Sequence, residues 1–185
     1  MESLNTEKWF PMRVTYGRED IIRRRLDKKG ITCFVPMHYE IIEKHGQRSR
    51  EFVPAIRNLL FVRSTQAILT ELKHIDQIVE PLRFIAYKSV INKDGNSVII
   101  SIPDKDMLNF MRVTMVKDEN VMYLRYEDGI KNKGIKVQIT DGPFVGVTGK
   151  VLRIKKNRHV VVELDGIAAV AISYVPIKSL VRVEE

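Results

Sequence analysis

The stretch 134–151 constrains the fold of this chain more than any other part of it. Val137 and Ile139 alternate with polar neighbours, which is typical of a half-buried strand. Asp141-Gly142-Pro143 predicts a tight turn, because glycine accepts a positive φ and proline fixes its own. Two further glycines precede a second apolar run that starts at Val151. The stretch therefore predicts two short strands joined by a turn.

Three more short strand patterns follow, separated by turn residues. They are Val160–Leu164, Ala168–Ser173 and Leu180–Val183. Several short strands with glycine and asparagine turns favour a small β-barrel from about Gly134 to the end of the sequence.

The first 116 residues mix strand and helix patterns. Trp9–Tyr16 is rich in aromatic and β-branched residues and predicts a strand. Arg18–Lys29 predicts a helix, with acids in the first turn and bases in the last. Further strands are predicted at 31–42, 52–62, 81–91 and 97–102, and further helices at 67–75 and from Pro103 onward. In the last helix the predicted apolar face consists of Met107, Leu108, Met111 and Met115.

Residues 117–133 differ from both flanks, because they are polar and lose periodicity. We expect a linker there, with one short extended piece at Val121–Tyr126. The predicted fold is α+β: an N-terminal α/β sandwich, with an antiparallel sheet and flanking helices, followed by a small SH3-like β-barrel.

Composition narrows the class of protein. The net charge is +8, from 31 Lys and Arg against 23 Asp and Glu, which favours a polyanionic partner. No apolar run approaches the roughly 18 residues of a membrane-spanning helix, so no membrane partner is expected. Met1–Glu7 lacks the pattern of a secretory signal, and Cys33 is the only cysteine. We therefore expect a cytoplasmic protein without an internal disulfide.

Several fragments carry a family resemblance when they are taken in order. They are Trp9-Phe10, Tyr16-Gly17, Phe34-Val35-Pro36, Arg57-Asn58-Leu59-Leu60-Phe61-Val62 and Asp141-Gly142-Pro143-Phe144. Together they resemble NusG-like transcription factors, with an NGN domain at 1–116, a linker at 117–133 and a KOW domain at 134–185. Within that family, the segment Val53–Val62 is most similar to the UpxY-type antiterminators of capsular polysaccharide operons.

The resemblance implies a non-enzymatic transcription elongation and antitermination factor. In the family, the NGN domain docks on the clamp of the largest subunit of RNA polymerase. Specialised relatives also touch the exposed non-template DNA strand, and nascent RNA is a further expected partner. The KOW domain recruits a termination factor or a ribosomal protein. We expect a monomer. The alternatives are a general NusG-like factor that aids termination and a ribosome-associated KOW protein that binds RNA.

The resemblance assigns polymerase binding to one segment of the first module. The candidate residues are Ile56, Asn58, Leu59 and Phe61. An apolar patch at a strand end is typical of a protein-binding surface. The alternative is that the apolar members simply fill the core, as alternation along a strand predicts for half of them.

Nucleic-acid binding is expected at the first helix and at a charged hairpin tip. The candidates are Tyr16, Arg18, Arg25, Lys28 and Arg48. Cations at helical spacing can follow phosphates, and an aromatic ring can stack on an unpaired base. The alternatives are a solvated helix face and, for Tyr16, packing in the core.

Two sets of residues in the second module could meet a partner. The resemblance assigns Phe144, Leu164 and Ile167 to partner binding, although the loop near Leu164 lacks the aromatic that relatives use to contact a termination factor or ribosomal protein. A basic run around Asn157 could contact RNA or could be an ordinary exposed hairpin. The run consists of Lys150, Arg153, Lys155, Lys156 and Arg158.

Catalytic chemistry is not indicated. Cys33, His38 and His45 are too loosely spaced for a zinc site. No phosphate-binding glycine loop, nucleophile elbow or zinc-protease motif occurs in the sequence. We expect neither a metal nor another cofactor.

Overall fold

Two apolar runs form the centre of the first sheet. The computed structural model describes residues 5–116, 118–124, 134–164 and 166–184. In it, β1 (Lys8–Arg13) pairs antiparallel with β5 (Leu59–Ser64), so that Pro11 lies opposite Phe61. The short strands β2 (Thr32–Phe34) and β6 (Arg83–Phe84) flank them in the order β2-β5-β1-β6.

Both faces of the central pair β1 and β5 are buried. Met12 and Leu60 lie opposite one another on one face, and neither is exposed. Pro11 and Phe61 lie on the other face, because successive side chains alternate along a strand. This double burial explains why Leu59–Val62 is a continuous apolar run rather than an alternating one.

Two amphipathic helices belong to the same part of the chain. Helix α1 (Glu19–Asp27) lies within the predicted range and buries Ile22 and Leu26, four residues apart on one face. Helix α2 (Gln66–Ile75) begins after Thr65, whose hydroxyl oxygen accepts a hydrogen bond from the backbone N–H of Ile68 at 3.1 Å.

Two hairpins separate these elements along the sequence. Strands β3 (Met37–Lys44) and β4 (Gln47–Pro54) close through His45 and Gly46, with φ values of 53° and 77°. Positive φ at both positions defines the type I′ turn that suits strand twist. Strands β7 (Ala86–Ile91) and β8 (Ser97–Ile99) form the second hairpin, with the predicted Asp94-Gly95 dipeptide in its loop.

Helix α3 (Asp104–Met115) corrects the predicted apolar face. Its buried residues are Met107, Phe110, Val113 and Thr114, at the three- and four-residue spacing of one helical stripe. Leu108 and Met115 are instead 54% and 66% exposed. The prediction was right for Met107 but wrong for Leu108 and Met115, because two apolar stripes lie side by side on this helix and only one is buried.

Within the described residues, the second sheet is formed by six strands, which are β9 Val121–Leu124, β10 Ile135–Ile139, β11 Thr148–Ile154, β12 Asn157–Leu164, β13 Ala168–Ser173 and β14 Leu180–Arg182. They lie in the order β14-β10-β11-β12-β13-β9. All five pairings are antiparallel. Strand β9 lies within the range predicted as a linker and pairs with β13. Closure of this sheet into a barrel stays a prediction.

Close approach of β11 and β12 requires a residue without a side chain at Gly149. A Cβ atom built there would lie 2.6 Å from the carbonyl oxygen of Val161 and 2.8 Å from a methyl group of Val160.

Helix α3 holds the start of β11 through Asn109. The side-chain amide of Asn109 donates a hydrogen bond to the carbonyl of Thr148 at 2.6 Å, and its side-chain oxygen accepts one from the N–H of Thr148 at 2.9 Å.

The described chain divides into two compact units that interleave along the sequence. One contains the residues up to Pro36 and Ile56–Asp104, and hence the first sheet with α1 and α2. The other contains Met37–Ala55 and the residues from Lys105 onward, and hence the hairpin β3–β4 and the second sheet. The fold is therefore α+β, as predicted, and the family-style boundaries at 116 and 134 stay a prediction.

Candidate nucleic-acid interface

Asn58 organises the loop between β1 and α1. Its carbonyl oxygen accepts a hydrogen bond from the N–H of Val14 at 3.1 Å, and its side-chain oxygen accepts from the N–H of Gly17 at 3.4 Å. Asn58 itself adopts a φ of 61°, a left-handed conformation that asparagine tolerates better than most residues. A single residue before β5 thus fixes both ends of the loop that precedes the helix.

Glu19 completes this network from the first turn of α1. Its side chain is only 3% exposed, and one carboxylate oxygen accepts a hydrogen bond from the N–H of Asn58 at 2.5 Å. A buried carboxylate requires such a donor, because burial without one would cost several kcal/mol. We name Val14, Gly17, Glu19 and Asn58 the Asn58 network.

The network presents an aromatic ring to solvent. Tyr16 is 88% exposed and has a φ of 60°, so the loop directs its side chain away from the core. The guanidinium carbon of Arg18 lies 5.9 Å from the centre of that ring, within the range of a cation–π contact. Core packing of Tyr16, which was one alternative, is therefore excluded, and the pair has the chemistry to stack on an unpaired base.

Helix α1 neutralises two of its own arginines. Arg23 bridges Asp20 at 2.8 Å and Asp27 at 3.0 Å, and Arg24 pairs with Asp20 at 2.7 Å. The hydrogen bond from Arg23, helped by the charge of Arg24, lowers the pKa of Asp20 despite some burial. These two arginines are consequently poor candidates for phosphate binding.

The predicted cationic stripe is only partly available. Arg25 donates to Asp76 at 2.7 Å, and Lys29 approaches the same carboxylate at 3.3 Å. Burial alone would raise the pKa of Asp76, but hydrogen bonds from Arg25, the Ile78 N–H and Lys29 outweigh it and lower that pKa. Among the residues that the structure describes, Lys28 forms no ion pair. Arg25 therefore serves the first unit's structure, whereas Arg18 and Lys28 are accessible to phosphates.

The predicted polymerase-binding segment is mostly buried. Leu59 is 5% exposed and Phe61 is not exposed, so the core-filling alternative describes both side chains. Ile56 is partly buried and Asn58 is exposed. Only these two can touch a partner directly, and the role of all four in polymerase binding stays a prediction.

The tip of the hairpin β3–β4 is exposed, as predicted, but its charges are balanced. Arg48 pairs with Glu43 at 3.3 Å, and Lys44 pairs with Glu51 at 2.9 Å. A phosphate would have to compete with Glu43 for Arg48. Behind the tip, the rings of Tyr39 and Phe52 lie 4.9 Å apart on one face of the hairpin.

The predicted partner-binding residues of the second unit are also largely internal. Phe144 is 6% exposed and Leu164 is 2% exposed, while Ile167 is partly buried. The N–H of Ile167 donates to the carbonyl of Leu164 at 2.7 Å and closes a tight turn. Asp165 lies outside the described residues. Of the three candidates, Ile167 alone offers side-chain surface to a partner.

The described residues hold few groups suited to chemistry. Burial raises the pKa of the Cys33 thiol to about 12, so it is a thiol rather than a thiolate. No group of three or more His, Cys, Asp or Glu side chains within the described ranges could hold a metal ion.

A cavity of about 200 Å³ in the second unit is lined by aromatic and acidic side chains, among them His38, Tyr39, Tyr123 and Asp118. Burial also raises the pKa of Tyr123, to about 12.

Comparison with known proteins identifies the family of this chain. A family model described as transcription termination factor nusG matches residues 7–111, which is more than half of the 185 residues. The chain belongs to the NusG family. The matched residues include all four members of the Asn58 network and all strands of the first sheet. A search of curated proteins found no match.

Membership of the NusG family makes the protein a transcription factor of the NusG type, with RNA polymerase as its main partner. Factors of this family are not enzymes. None of the helices in the described parts of the chain is long and apolar enough to cross a membrane.

Sequence reasoning missed two residues of this NusG-family protein. The local pattern marks Glu19 only as an acid of the first helical turn, whereas its buried carboxylate accepts a hydrogen bond from the N–H of Asn58. Tyr174, 83% exposed with a φ of 58°, was not singled out. For Glu19, the available signal was the turn dipeptide Tyr16-Gly17 just before the helix. For Tyr174, it was the position of an aromatic residue directly after the apolar strand β13.

Proposed function

We propose that this NusG-family protein is an antitermination factor that suppresses pausing or termination by RNA polymerase, on a specific operon of the capsular polysaccharide type. It works in the cytoplasm, where the polymerase is. The clamp of the largest subunit binds the segment from Ile56 to Phe61. The exposed non-template DNA strand, and nascent RNA where it is within reach, meets the surface around Tyr16.

One observation carries this proposal. Asn58 belongs to the predicted clamp-docking segment and also holds the loop that exposes Tyr16 and Arg18. Docking the segment on a polymerase would therefore set the position of the ring and the cation at the same time. Such coupling suits a factor that must bind protein and nucleic acid together.

The nucleic-acid face would use the side chains in different ways. Tyr16 would stack on an unpaired base, and Arg18 and Lys28 would contact phosphates. Arg25 would position the helix through Asp76, and Arg48 would contact phosphate by exchanging its partner Glu43. In the second unit, Ile167 would touch a ribosomal protein or other partner, whereas the buried Phe144 and Leu164 would contribute only through packing.

The mechanism would be differential binding. A factor shifts the balance between paused and elongating polymerase only by its difference in affinity for the two states. Stacking of one base is worth about 1–3 kcal/mol. Stacking that occurs only in the elongating state would therefore change the ratio of paused to elongating polymerase by about fivefold or more, since 1.4 kcal/mol is about tenfold.

Single-round transcription with the host's own polymerase tests the proposal. The template should contain one pause and one terminator, and the protein should increase read-through of both. Because stacking and one cation are lost, the double substitution Tyr16→Ala and Arg18→Gln is expected to remove most of that increase. Lys88→Gln, an exposed lysine of the same unit outside this surface, is the matched control.

Other outcomes would redirect or reject the proposal. Increased termination that depends on added termination factor would favour the general NusG-like role, which the description of the matching family names. No effect on the polymerase and retention on ribosomal RNA would favour the ribosome-associated role. Equal read-through by the wild type and the double variant would reject the assigned nucleic-acid surface.

A further inference from the structure

Two hairpins of the second unit share a turn type but differ in charge. In the hairpin β11–β12 the turn residues are Lys155 and Lys156, with φ values of 48° and 71°. Asparagine followed by glycine is the favoured pair for such a turn, because both positions need a positive φ. In the hairpin β3–β4 the second position is indeed the glycine Gly46. Two lysines in this conformation cost stability.

The strand positions next to this turn add a second cost. Arg153 lies directly opposite Arg158 in the antiparallel register. Side chains so placed are about 5 Å apart at Cβ, and like charges there are destabilising. By contrast, the opposite pair Glu43 and Arg48 in the hairpin β3–β4 forms a salt bridge at 3.3 Å.

We name Arg153, Lys155, Lys156 and Arg158 the basic tip. All four are exposed. Among residues 5–116, 118–124, 134–164 and 166–184, none of them forms an ion pair. Hence the cationic charge of the tip is uncompensated, and it concentrates attraction for a polyanion at one end of the sheet.

An exposed aromatic ring lies at the same end of the sheet. Tyr174 directly follows Ser173, which pairs with His159, the neighbour of Arg158. Arg158 also lines a small depression together with Val175, which follows Tyr174. Tyr174 is 83% exposed and adopts a left-handed φ of 58°, an uncommon conformation for tyrosine.

We propose that the basic tip and Tyr174 bind a single strand of nucleic acid, with cations on the phosphates and a base stacked on the ring. Cations alone would suit any acidic surface. An exposed ring beside them favours a single strand, because every unpaired base offers a face for stacking. This site consists of other residues than the Tyr16 surface, and it does not depend on the antitermination role.

Two variants test the proposal with substitutions that suit the left-handed backbone at these positions. Lys155→Asn with Lys156→Gly removes two charges and installs the preferred turn residues, so the thermal midpoint should rise. Tyr174→Asn removes the ring at a left-handed position that asparagine tolerates. Reduced binding together with equal or higher stability would separate a binding role from a structural one.

The measurement is equilibrium binding of the full chain to labelled oligouridylate and to oligothymidylate over a series of salt concentrations. The lysine variant should weaken binding and reduce the slope of log K against log salt by about 1.4, at about 0.7 for each phosphate contact. Tyr174→Asn should weaken binding by about fivefold or more and leave the slope unchanged. Comparison of the two strands decides between RNA and DNA.

Lys88→Gln with Lys93→Gln is the matched control, since it removes the same charge from exposed positions of the other unit. An equal change of slope in this control would overturn the proposal, because net charge alone would then explain binding. Wild-type affinity in both test variants would also overturn it. Binding to polyglutamate that competes with the strands would assign the tip to acidic proteins instead. No polymerase is present, so failure here leaves the antitermination proposal untouched.

Discussion

Phe61→Ala is expected to lower the free energy of unfolding by about 3–5 kcal/mol. Phe61 is not exposed, lies opposite Pro11 and Phe34 in the first sheet, and has its ring centre 6.4 Å from that of Phe34. Removal of the ring would leave a cavity in a sheet that is buried on both faces. Chemical denaturation followed by circular dichroism measures the loss.

A loss of this size is a large share of the stability of an ordinary domain, which is about 5–15 kcal/mol. Any polymerase binding lost in this variant would therefore reflect unfolding rather than a missing contact. Arg57→Ala is the control in the same segment, because Arg57 is exposed and should change the unfolding free energy by about 0.5 kcal/mol at most. A loss below about 1 kcal/mol for Phe61→Ala would contradict the assigned burial.

Gly149→Ala should destabilise the second unit, by about 1–3 kcal/mol or more. The new Cβ would lie 2.6 Å from the carbonyl oxygen of Val161, a backbone atom that cannot move without separating β11 from β12. Lys150→Ala, the exposed next residue, is the control. Hydrogen exchange of the β11–β12 amides should accelerate in Gly149→Ala only. Equal protection in the two variants would show that the strands tolerate the methyl group.

The secondary structure followed from local patterns where one signal dominated. Acidic residues in the first turn and basic residues in the last turn predicted α1, and Pro103 followed by Asp104 predicted the start of α3. The buried face of α3 was predicted wrongly, since Met107 and Leu108 lie on adjacent stripes that are equally apolar. Only the packing partners decide which stripe is buried, and a local pattern contains no information on them.

The candidate site was predictable in its residue types but not in its connections. Asn58 and Glu19 are 39 positions apart, and Arg25 and Asp76 are 51 apart, so neither hydrogen bond could be inferred from spacing. The exposed fraction of a side chain could not be inferred from the local sequence either. Tyr16, in the loop after β1, and Phe61, within β5, are both aromatic, yet Tyr16 is 88% exposed and Phe61 is buried. Left-handed backbone at Tyr16, imposed by the Asn58 network, makes that difference.

The central claim is that one surface of the first unit joins polymerase to an exposed DNA strand. The most direct measurement is the affinity of the protein for the host's elongation complex assembled with and without an unpaired non-template strand. We expect binding to both complexes, with affinity about fivefold or more higher when the strand is present. Tyr16→Ala with Arg18→Gln should remove most of that difference and leave the affinity for the complex without the strand unchanged. Equal affinity of the wild-type protein for the two complexes would contradict the account.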